Sequence, residues 1–474
     1  MKKSANGFVR PHPDNPRYFL FRGEPVLFIT STEHYGAVIN LDFDYAAYLA
    51  MLKEKGFRLT RIFVFYREQP ESASGLEAKD GAYFSELGRQ NTLAPAADRY
   101  LAPWPRSSKP GCLDGGNTFD LEKWNPAYFK RLKEFCAMAG DLGVVVEVTL
   151  FSNLYSDAES GPWRVCPFNA ANNINGIGRI KYHEFTGLID KDVVRAQEAL
   201  TRKVVNELMD LDNVFFEICN EPNPFPQDPH LEYERIAEWQ NHFVALIREI
   251  EEGLPARHMI AVCDPTQTND LKGVSILSFH YREWVSKGLE GFWDRNCAIA
   301  FDETLTGIVG WNKPMDFEAR RREAWEFVMK GCGVYDYLDF TIATDDPGGI
   351  GDALFPGGQR FNGETMRLYL MHLNDFMSGL DFVRMKPDAS VIRGRYSAAS
   401  VYALAEKGGS CAVYIDGCSV KSLELLLPEG TYTAEWFDPR TGKRTRAGGV
   451  SGGNLSLEVP LYGPDIALAL VRKG

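Results

Sequence analysis

Two carboxylates stand at the ends of apolar runs in this sequence. Residues 213–219 are almost continuously apolar, as in a strand buried on both faces, and the run stops at Asn220, Glu221 and Pro222. Proline cannot donate to a strand ladder, so the strand must end there. A second run begins at Cys297 and ends at Glu303. Two such strand ends could bring both carboxylates into one cavity.

Paired carboxylates in one cavity fit the cleavage of a glycosidic bond. One group must stay protonated to donate to the leaving oxygen, while the other stays ionised to attack the anomeric carbon. A separation of roughly 5–5.5 Å would mean retention through a covalent glycosyl-enzyme, and roughly 6.5–9.5 Å would leave room for a water and mean inversion. The sequence alone leaves both outcomes open.

The elements that would position these side chains alternate between strand and helix. Eight apolar runs alternate with segments of helical spacing from about residue 17 to about residue 378, which predicts a (β/α)8 TIM barrel with enlarged loops. Glu221 then ends the fourth strand and Glu303 the seventh, across the mouth from each other. A doubly wound open sheet is the alternative, and it is disfavoured because no glycine-rich phosphate loop follows the first strand.

The pattern of apolar and polar residues changes from about Asp381 onwards. Short alternating runs, such as 410–415 and 432–437, are separated by turn signals and show no helical period. They predict a small antiparallel β-sandwich over residues 381–474 behind a catalytic domain over residues 1–380. We expect this second domain to pack against the barrel, although carbohydrate binding is an alternative.

Composition limits the partners and the compartment. The 474 residues carry a net charge of −12, which argues against a nucleic-acid partner. The nine cysteines include no C-x-x-C pair, which favours free thiols in a reducing compartment. No apolar segment follows the basic residues at the N-terminus, and no run reaches the length of a membrane span. We expect a cytoplasmic protein, or a secreted or periplasmic one if a leader was removed.

Asn220-Glu221-Pro222 after one strand and Glu303 at the end of a later one resemble the large clan of retaining (β/α)8 glycoside hydrolases that includes cellulases, β-mannanases and β-galactosidases. The resemblance covers about residues 17–378. It implies that Glu221 is the acid/base and Glu303 the nucleophile, and that Asn220 binds the sugar 2-hydroxyl. It also implies that Arg61, on the second strand, lies beneath the nucleophile and keeps it ionised.

The sequence departs from this clan at two places. The clan often has His-x-Tyr at strand six, whereas His280 and Tyr281 are adjacent here and would point to opposite faces of a regular strand. We favour Tyr281 as the contact to the nucleophile, with His280 lining the pocket. The clan's tryptophan at strand eight is also missing. Sugar stacking, with ordinary packing as the alternative, then falls to three tryptophans in loops: Trp163, Trp284 and Trp311.

Other polar residues near the strand ends have two readings. His34, after the first strand, would bind a sugar hydroxyl or sit in the core. Glu147 and Glu217 lie within strands three and four and would pair inside the barrel with cations such as Arg61. Asp302 neighbours Glu303 but should point the other way by alternation.

These observations predict a retaining β-glycoside hydrolase acting on β-linked glucan or mannan oligosaccharides. β-Galactosides, β-xylosides and arabinofuranosides stay open, because a few loop residues set that choice. The long segments after strands two and three favour a walled pocket, short substrates and exo action. The rivals are a non-catalytic carbohydrate-binding protein and a barrel hydrolase with a metal-activated water. No His, Asp and Glu residues have metal-ligand spacing in the sequence, so we expect no required cofactor.

Overall fold

The structure, a computed structural model, describes residues 7–69, 91–159, 161–222, 233–263, 265, 269–280, 291–304, 316–354 and 360–473. Its centre is a sheet of eight parallel strands in the order β1-β8-β7-β6-β5-β4-β3-β2. The strands are β1 (Phe28–Thr32), β2 (Leu59–Phe63), β3 (Val145–Ser152), β4 (Val214–Asn220), β5 (Ile260–Cys263), β6 (Ile276–Ser278), β7 (Ala298–Thr304) and β8 (Val334–Leu338). The Thr30 hydroxyl on β1 donates to the Leu59 carbonyl on β2 at 2.8 Å, which brings the two edges together. The predicted barrel is confirmed.

Helices follow six of the barrel strands in the described part of the chain. They are α1 (Tyr45–Lys55), α2 (Pro126–Asp141), α3 (Lys191–Leu208), α4 (Tyr233–Ile250), α5 (Phe317–Met329) and α6 (Gly363–Ser378). Local signals fix their ends: Asp44 caps the first backbone amides of α1, and Gly56 ends it in the left-handed conformation at φ +76°. None of the described helices is long and apolar enough to cross a membrane.

A hairpin closes the N-terminal end of the barrel. Three short strands, Arg10–Pro11, Phe19–Phe21 and Glu24–Val26, pair in an antiparallel sheet. Their apolar side chains pack on the first residues of the barrel strands, among them Leu59 and Val145. Apolar side chains fill this end. We therefore expect the polar residues of a site at the opposite, C-terminal end of the strands, as in other TIM barrels.

In their described residues, the segments between β2 and α2 and between β3 and α3 contain little regular structure. Two short strands, Arg106–Pro110 and Asn117–Phe119, pair in the first, and a four-residue helix, Pro162–Val165, and a 3-10 turn, Tyr182–Glu184, lie in the second. A further two-stranded pair, Asp352–Leu354 and Arg360–Asn362, precedes α6. All three segments follow the C-terminal ends of barrel strands and surround the mouth of the barrel.

The C-terminal part is antiparallel, as predicted. Six strands run in the order β9-β10-β11-β14-β12-β13: β9 (Met385–Pro387), β10 (Ser400–Glu406), β11 (Cys411–Asp416), β12 (Ser422–Phe437), β13 (Arg444–Glu458) and β14 (Asp465–Arg472). Two 3-10 turns, Phe382–Arg384 and Ala389–Val391, lie at its start. One face of these strands buries its own apolar cluster, and other side chains, such as Tyr414, join the core of the barrel. The exact division at residues 380 and 381 stays a prediction.

Candidate active site

The two carboxylates predicted from the strand ends meet at the C-terminal mouth. Glu221 directly follows the last residue of β4 and turns the chain with a left-handed φ of +41°. Glu303 lies near the end of β7. Both are buried, with 5% and 8% of their surface exposed, and one oxygen of each lies within 4.8 Å of the other. The fold therefore brings residues 82 positions apart into one cluster.

Arg61 on β2 links these groups from beneath. Its Nη1 donates to Glu303 Oε2 at 3.2 Å, and its Nη2 donates to Glu217 Oε2 at 2.5 Å and to Asn220 Oδ1 at 2.9 Å. The guanidinium is fully buried, so water does not screen these contacts. Thr149 on β3 donates its hydroxyl to the same Glu217 oxygen at 2.6 Å. Arg61 thus fixes three side chains from β4 and β7 at once.

His280, two residues after the end of β6, lies between the two carboxylates. Its Nδ1 is 3.0 Å from Glu221 Oε1 and 3.9 Å from Glu303 Oε2. On the other side of the ring, Nε2 is 3.2 Å from Asp302 Oδ1. The histidine expected only to line the pocket therefore contacts the acidic groups directly. Tyr281, the favoured contact to the nucleophile, lies outside the described residues.

Asp302 does not point away from the site, so the prediction from alternation was wrong. The pairing of β7 with β8 runs Phe301 to Tyr335 and then Thr304 to Tyr337, so β7 contains one more residue than its partner. This β-bulge breaks the two-residue period and lets Asp302 and Glu303 both face the interior. The Ser278 hydroxyl donates to Asp302 Oδ1, the oxygen that also contacts His280.

Tyr155, in the segment after β3, is a site residue that the sequence did not reveal. Its hydroxyl donates to Glu221 Oε2 at 2.7 Å and accepts a hydrogen bond from Asn220 Nδ2 at 2.9 Å. The residue has a left-handed φ of +47°, which turns its side chain toward the mouth. A tyrosine in an irregular segment carries no spacing signal, and only its place shortly after a barrel strand could have suggested a role.

Burial and neighbouring charges shift the pKa values of this cluster. Burial raises the pKa of Glu303 to about 7; the charge of Glu221 adds to the rise, and His280 and Arg61 oppose it. Burial alone would lower the pKa of His280, but the thiol and carboxylate groups around it raise it well above its usual range. Burial would raise the pKa of Asp302, but its hydrogen bond to His280 and the charge of Arg61 lower it to about 2. The pKa shifts of Asp302 and His280 thus favour an ion pair between these two residues.

Glu147 and Glu217 face the barrel interior below the mouth. Glu217 pairs with Arg61, and one oxygen each of Glu147, Glu217 and Asp302 lies within 4.8 Å of the others. Burial raises the pKa of both glutamates. These acids hold the base of the site in place and are not open to a substrate.

Two of the other predicted binding residues pack against aromatic rings. His34 is buried with its ring 4.7 Å from that of Phe340, and burial lowers its pKa to about 3, so it is uncharged. Trp163 is 5% exposed and packs 6.2 Å from Phe185, which matches its packing alternative. Trp284 and Trp311 lie outside the described residues.

Three side chains of the site could together hold a metal ion, although the sequence shows no metal-ligand spacing. One ligand atom each of Glu221, His280 and Glu303 lies within 4.8 Å of the other two. The sequence missed this group because its members come from three strands that only the closed barrel brings together.

Part of the sequence matches a family model, and the fold matches solved structures of glycoside hydrolases. Residues 91–211 match a family model described as a domain of unknown function, DUF6298. No protein with a curated function matches the sequence. A glycoside hydrolase of family 5 from Bacteroides vulgatus superimposes with a TM-score of 0.64 at 14% identity, over 98% of this chain and 94% of its own. A second structure, described as a glycoside hydrolase, gives a TM-score of 0.65 at 14% identity, over 99% of this chain and 97% of its own.

The fold is that of clan A glycoside hydrolases. The similarity extends over nearly the whole length of each chain, so it includes the C-terminal sheet as well as the barrel. At this level of identity it establishes architecture, and fold alone does not carry a reaction with it.

Proposed function

We propose that this protein is a retaining glycoside hydrolase that cleaves β-linked glycosides by double displacement. The observation that carries the proposal is the buried pair Glu221 and Glu303, whose nearest oxygens lie within 4.8 Å at the C-terminal mouth of a barrel. An upper limit of 4.8 Å on the nearest oxygens supports the short carboxyl separation of retaining enzymes, roughly 5–5.5 Å, over the roughly 6.5–9.5 Å that leaves room for an inverting water.

The proposed reaction has two steps. The Glu303 carboxylate attacks the anomeric carbon while Glu221 gives its proton to the leaving oxygen, and a covalent glycosyl-enzyme forms. Glu221 then takes a proton from water, which attacks the same carbon and releases Glu303. Arg61, 3.2 Å from Glu303, favours the ionised nucleophile, and Asn220, held by Arg61 and Tyr155, presents its amide to the sugar 2-hydroxyl.

The walls of the site support a pocket for short substrates. The Gln69 side chain, after β2, donates to the carbonyls of Glu159 and Gly161, after β3, at 3.0 Å each. Asp114 pairs with both Arg67 and Arg106, which ties the first segment to the end of β2. Such tied segments favour exo action on oligosaccharides of β-linked glucose or mannose, with β-galactosides, β-xylosides and arabinofuranosides as alternatives.

The test is a panel of aryl β-glycosides assayed with the wild type, Glu221→Gln and Glu303→Gln. We expect Glu303→Gln to lose turnover of every glycoside, and Glu221→Gln to keep the first step for substrates with good leaving groups. A 2-deoxy-2-fluoro glycoside with a good leaving group should leave a sugar on the peptide that contains Glu303. Near wild-type turnover by Glu303→Gln would refute the assignment, and no turnover with clear oligosaccharide binding would favour a non-catalytic binding protein.

A further inference from the structure

The mouth of the barrel presents three ligand atoms in an arrangement that suits a metal ion. His280 Nδ1 lies 3.0 Å from Glu221 Oε1 and 3.9 Å from Glu303 Oε2. Zinc bound at about 2.0–2.1 Å in a tetrahedral site has ligand atoms about 3.4 Å from one another. The two separations from Nδ1 lie on either side of this value, and an oxygen of Glu221 lies within 4.8 Å of an oxygen of Glu303.

The contact on the other side of the His280 ring is a second observation that favours a metal ion. Its Nε2 is 3.2 Å from Asp302 Oδ1, and the Ser278 hydroxyl donates to that same oxygen. Histidines that bind metals almost always direct their second nitrogen at a carboxylate or carbonyl, which fixes the ring and makes the first nitrogen a better ligand. In this protein the fixed nitrogen is Nε2, and Nδ1 is the one directed at Glu221 and Glu303.

We propose that this site binds a divalent transition-metal ion of the zinc class through Glu221, Glu303 and Nδ1 of His280. The ion replaces the proton on Nδ1, since metal ligands must be deprotonated, and its fourth position faces the mouth. The proposal does not depend on glycosidase activity. If the enzyme works by double displacement, an ion held here inhibits it, because both catalytic carboxylates become ligands.

Two neighbouring groups of side chains are poorer candidates for the ion. Glu217, Cys263 and His280 also offer atoms within 4.8 Å of one another, but Arg61 donates to Glu217 and places a positive charge there. The group of Glu147, Glu217 and Asp302 includes no histidine and faces the same guanidinium. Arg61 also contacts Glu303 and weakens an ion at the mouth, but it makes no contact with the ligand nitrogen of His280 among the described residues.

Cobalt(II) alone is the probe, because its visible absorption reports the ligands without any assay of activity. The full-length wild type should bind one equivalent and show the bands of a four- or five-coordinate ion. His280→Ala and Glu303→Gln should lose these bands, and Asp302→Asn should weaken binding by about 10–100-fold. His242→Ala is the matched control, because the half-buried His242 on α4 pairs with Glu198 on α3, 2.8 Å apart, and should not change the titration.

Several outcomes would overturn the proposal. Bands that persist in His280→Ala would place the ion elsewhere, and a thiolate charge-transfer band that disappears in Cys263→Ser would place it deeper in the barrel. Circular dichroism of each variant checks that it is folded, and Zn²⁺ should raise the melting temperature of the wild type but not of Glu303→Gln. Absence of any binding by the folded wild type would refute the site.

Activity assays with Zn²⁺ and with chelator distinguish the metal site from the proposed function. Inhibition of aryl glycoside hydrolysis by Zn²⁺, together with full activity in chelator, agrees with both. Loss of activity in chelator and its return with Zn²⁺ would support the metal site and overturn double displacement in favour of a metal-activated water. Full activity with no cobalt binding would leave double displacement and remove the metal site.

Discussion

The hydroxyl of Tyr155 donates to Glu221 Oε2 at 2.7 Å, while the same oxygen of Tyr155 accepts from Asn220 at 2.9 Å. One phenol therefore connects the proposed acid/base to the amide proposed to bind the sugar. His280 contacts the other oxygen of Glu221, so the carboxyl group is held from both sides. Its orientation does not depend on substrate.

Tyr155→Phe should lower kcat/KM by about 10–100-fold for glycosides with poor leaving groups, because a hydrogen bond to a charged group contributes about 1.5–3 kcal/mol. The ring stays in place, so the melting temperature should change little. Tyr128→Phe is the control, because the buried Tyr128 hydroxyl has no hydrogen-bond partner among the described residues. Equal kinetics of Tyr155→Phe and the wild type would contradict the role of Tyr155.

Arg61→Met should destabilise the protein by about 3–5 kcal/mol, because it leaves the buried Glu217 without its cation. Urea denaturation measures the loss. The double variant Arg61→Met/Glu217→Gln should recover most of the stability but not the activity, since Glu303 and Asn220 still lack their contact. Recovery of activity in the double variant would show that Arg61 acts only as a partner of Glu217.

The pH dependence of kcat/KM should have an acid limb near pH 7. Glu303 must be ionised to attack, and burial raises its pKa to about 7, so activity is lost as the pH falls through this value. The charge of Glu221 is one cause of the rise. In Glu221→Gln, assayed with an activated aryl glycoside, the limb should therefore move to lower pH. A limb that moves to higher pH would assign it to another group.

Arg321→Met should destabilise the protein by about 3–5 kcal/mol through the contact between α5 and the C-terminal sheet. The buried guanidinium donates to Asp465 at 2.5 Å, and the Tyr414 hydroxyl donates to the same carboxylate at 3.0 Å. Arg444→Met, which breaks a partly exposed pair with Asp375, should have little effect by comparison. Equal unfolding midpoints for both variants would mean that the buried pair does not hold the sheet to the barrel.

The barrel and its two carboxylates could be predicted from sequence because each rests on a local signal. Each of the two strand ends can be recognised from its own residues. One buried strand ends in Asn220 and Glu221 before a proline, and the other ends near Glu303. The closed order of eight parallel strands then brings the two ends together. The pairing of Arg61 with Glu217 followed from the same geometry, since both face the interior.

The remaining contacts depend on departures from regular structure. Asp302 faces the site because of a bulge that only the pairing of β7 with β8 reveals. Tyr155 reaches Glu221 from an irregular segment through a left-handed residue. Trp163, a candidate for sugar stacking with packing as the alternative, is buried and packs 6.2 Å from Phe185. None of these features has a periodicity that a sequence shows.

The left-handed backbone conformation of Glu221 affects how this site can evolve. A residue with a side chain at φ +41° costs of order 1–3 kcal/mol, and its carboxylate is buried as well. Glycine would adopt this conformation without strain. Selection for folding alone would therefore favour replacement of Glu221, and an inactive descendant of this protein should be easier to stabilise than an active one.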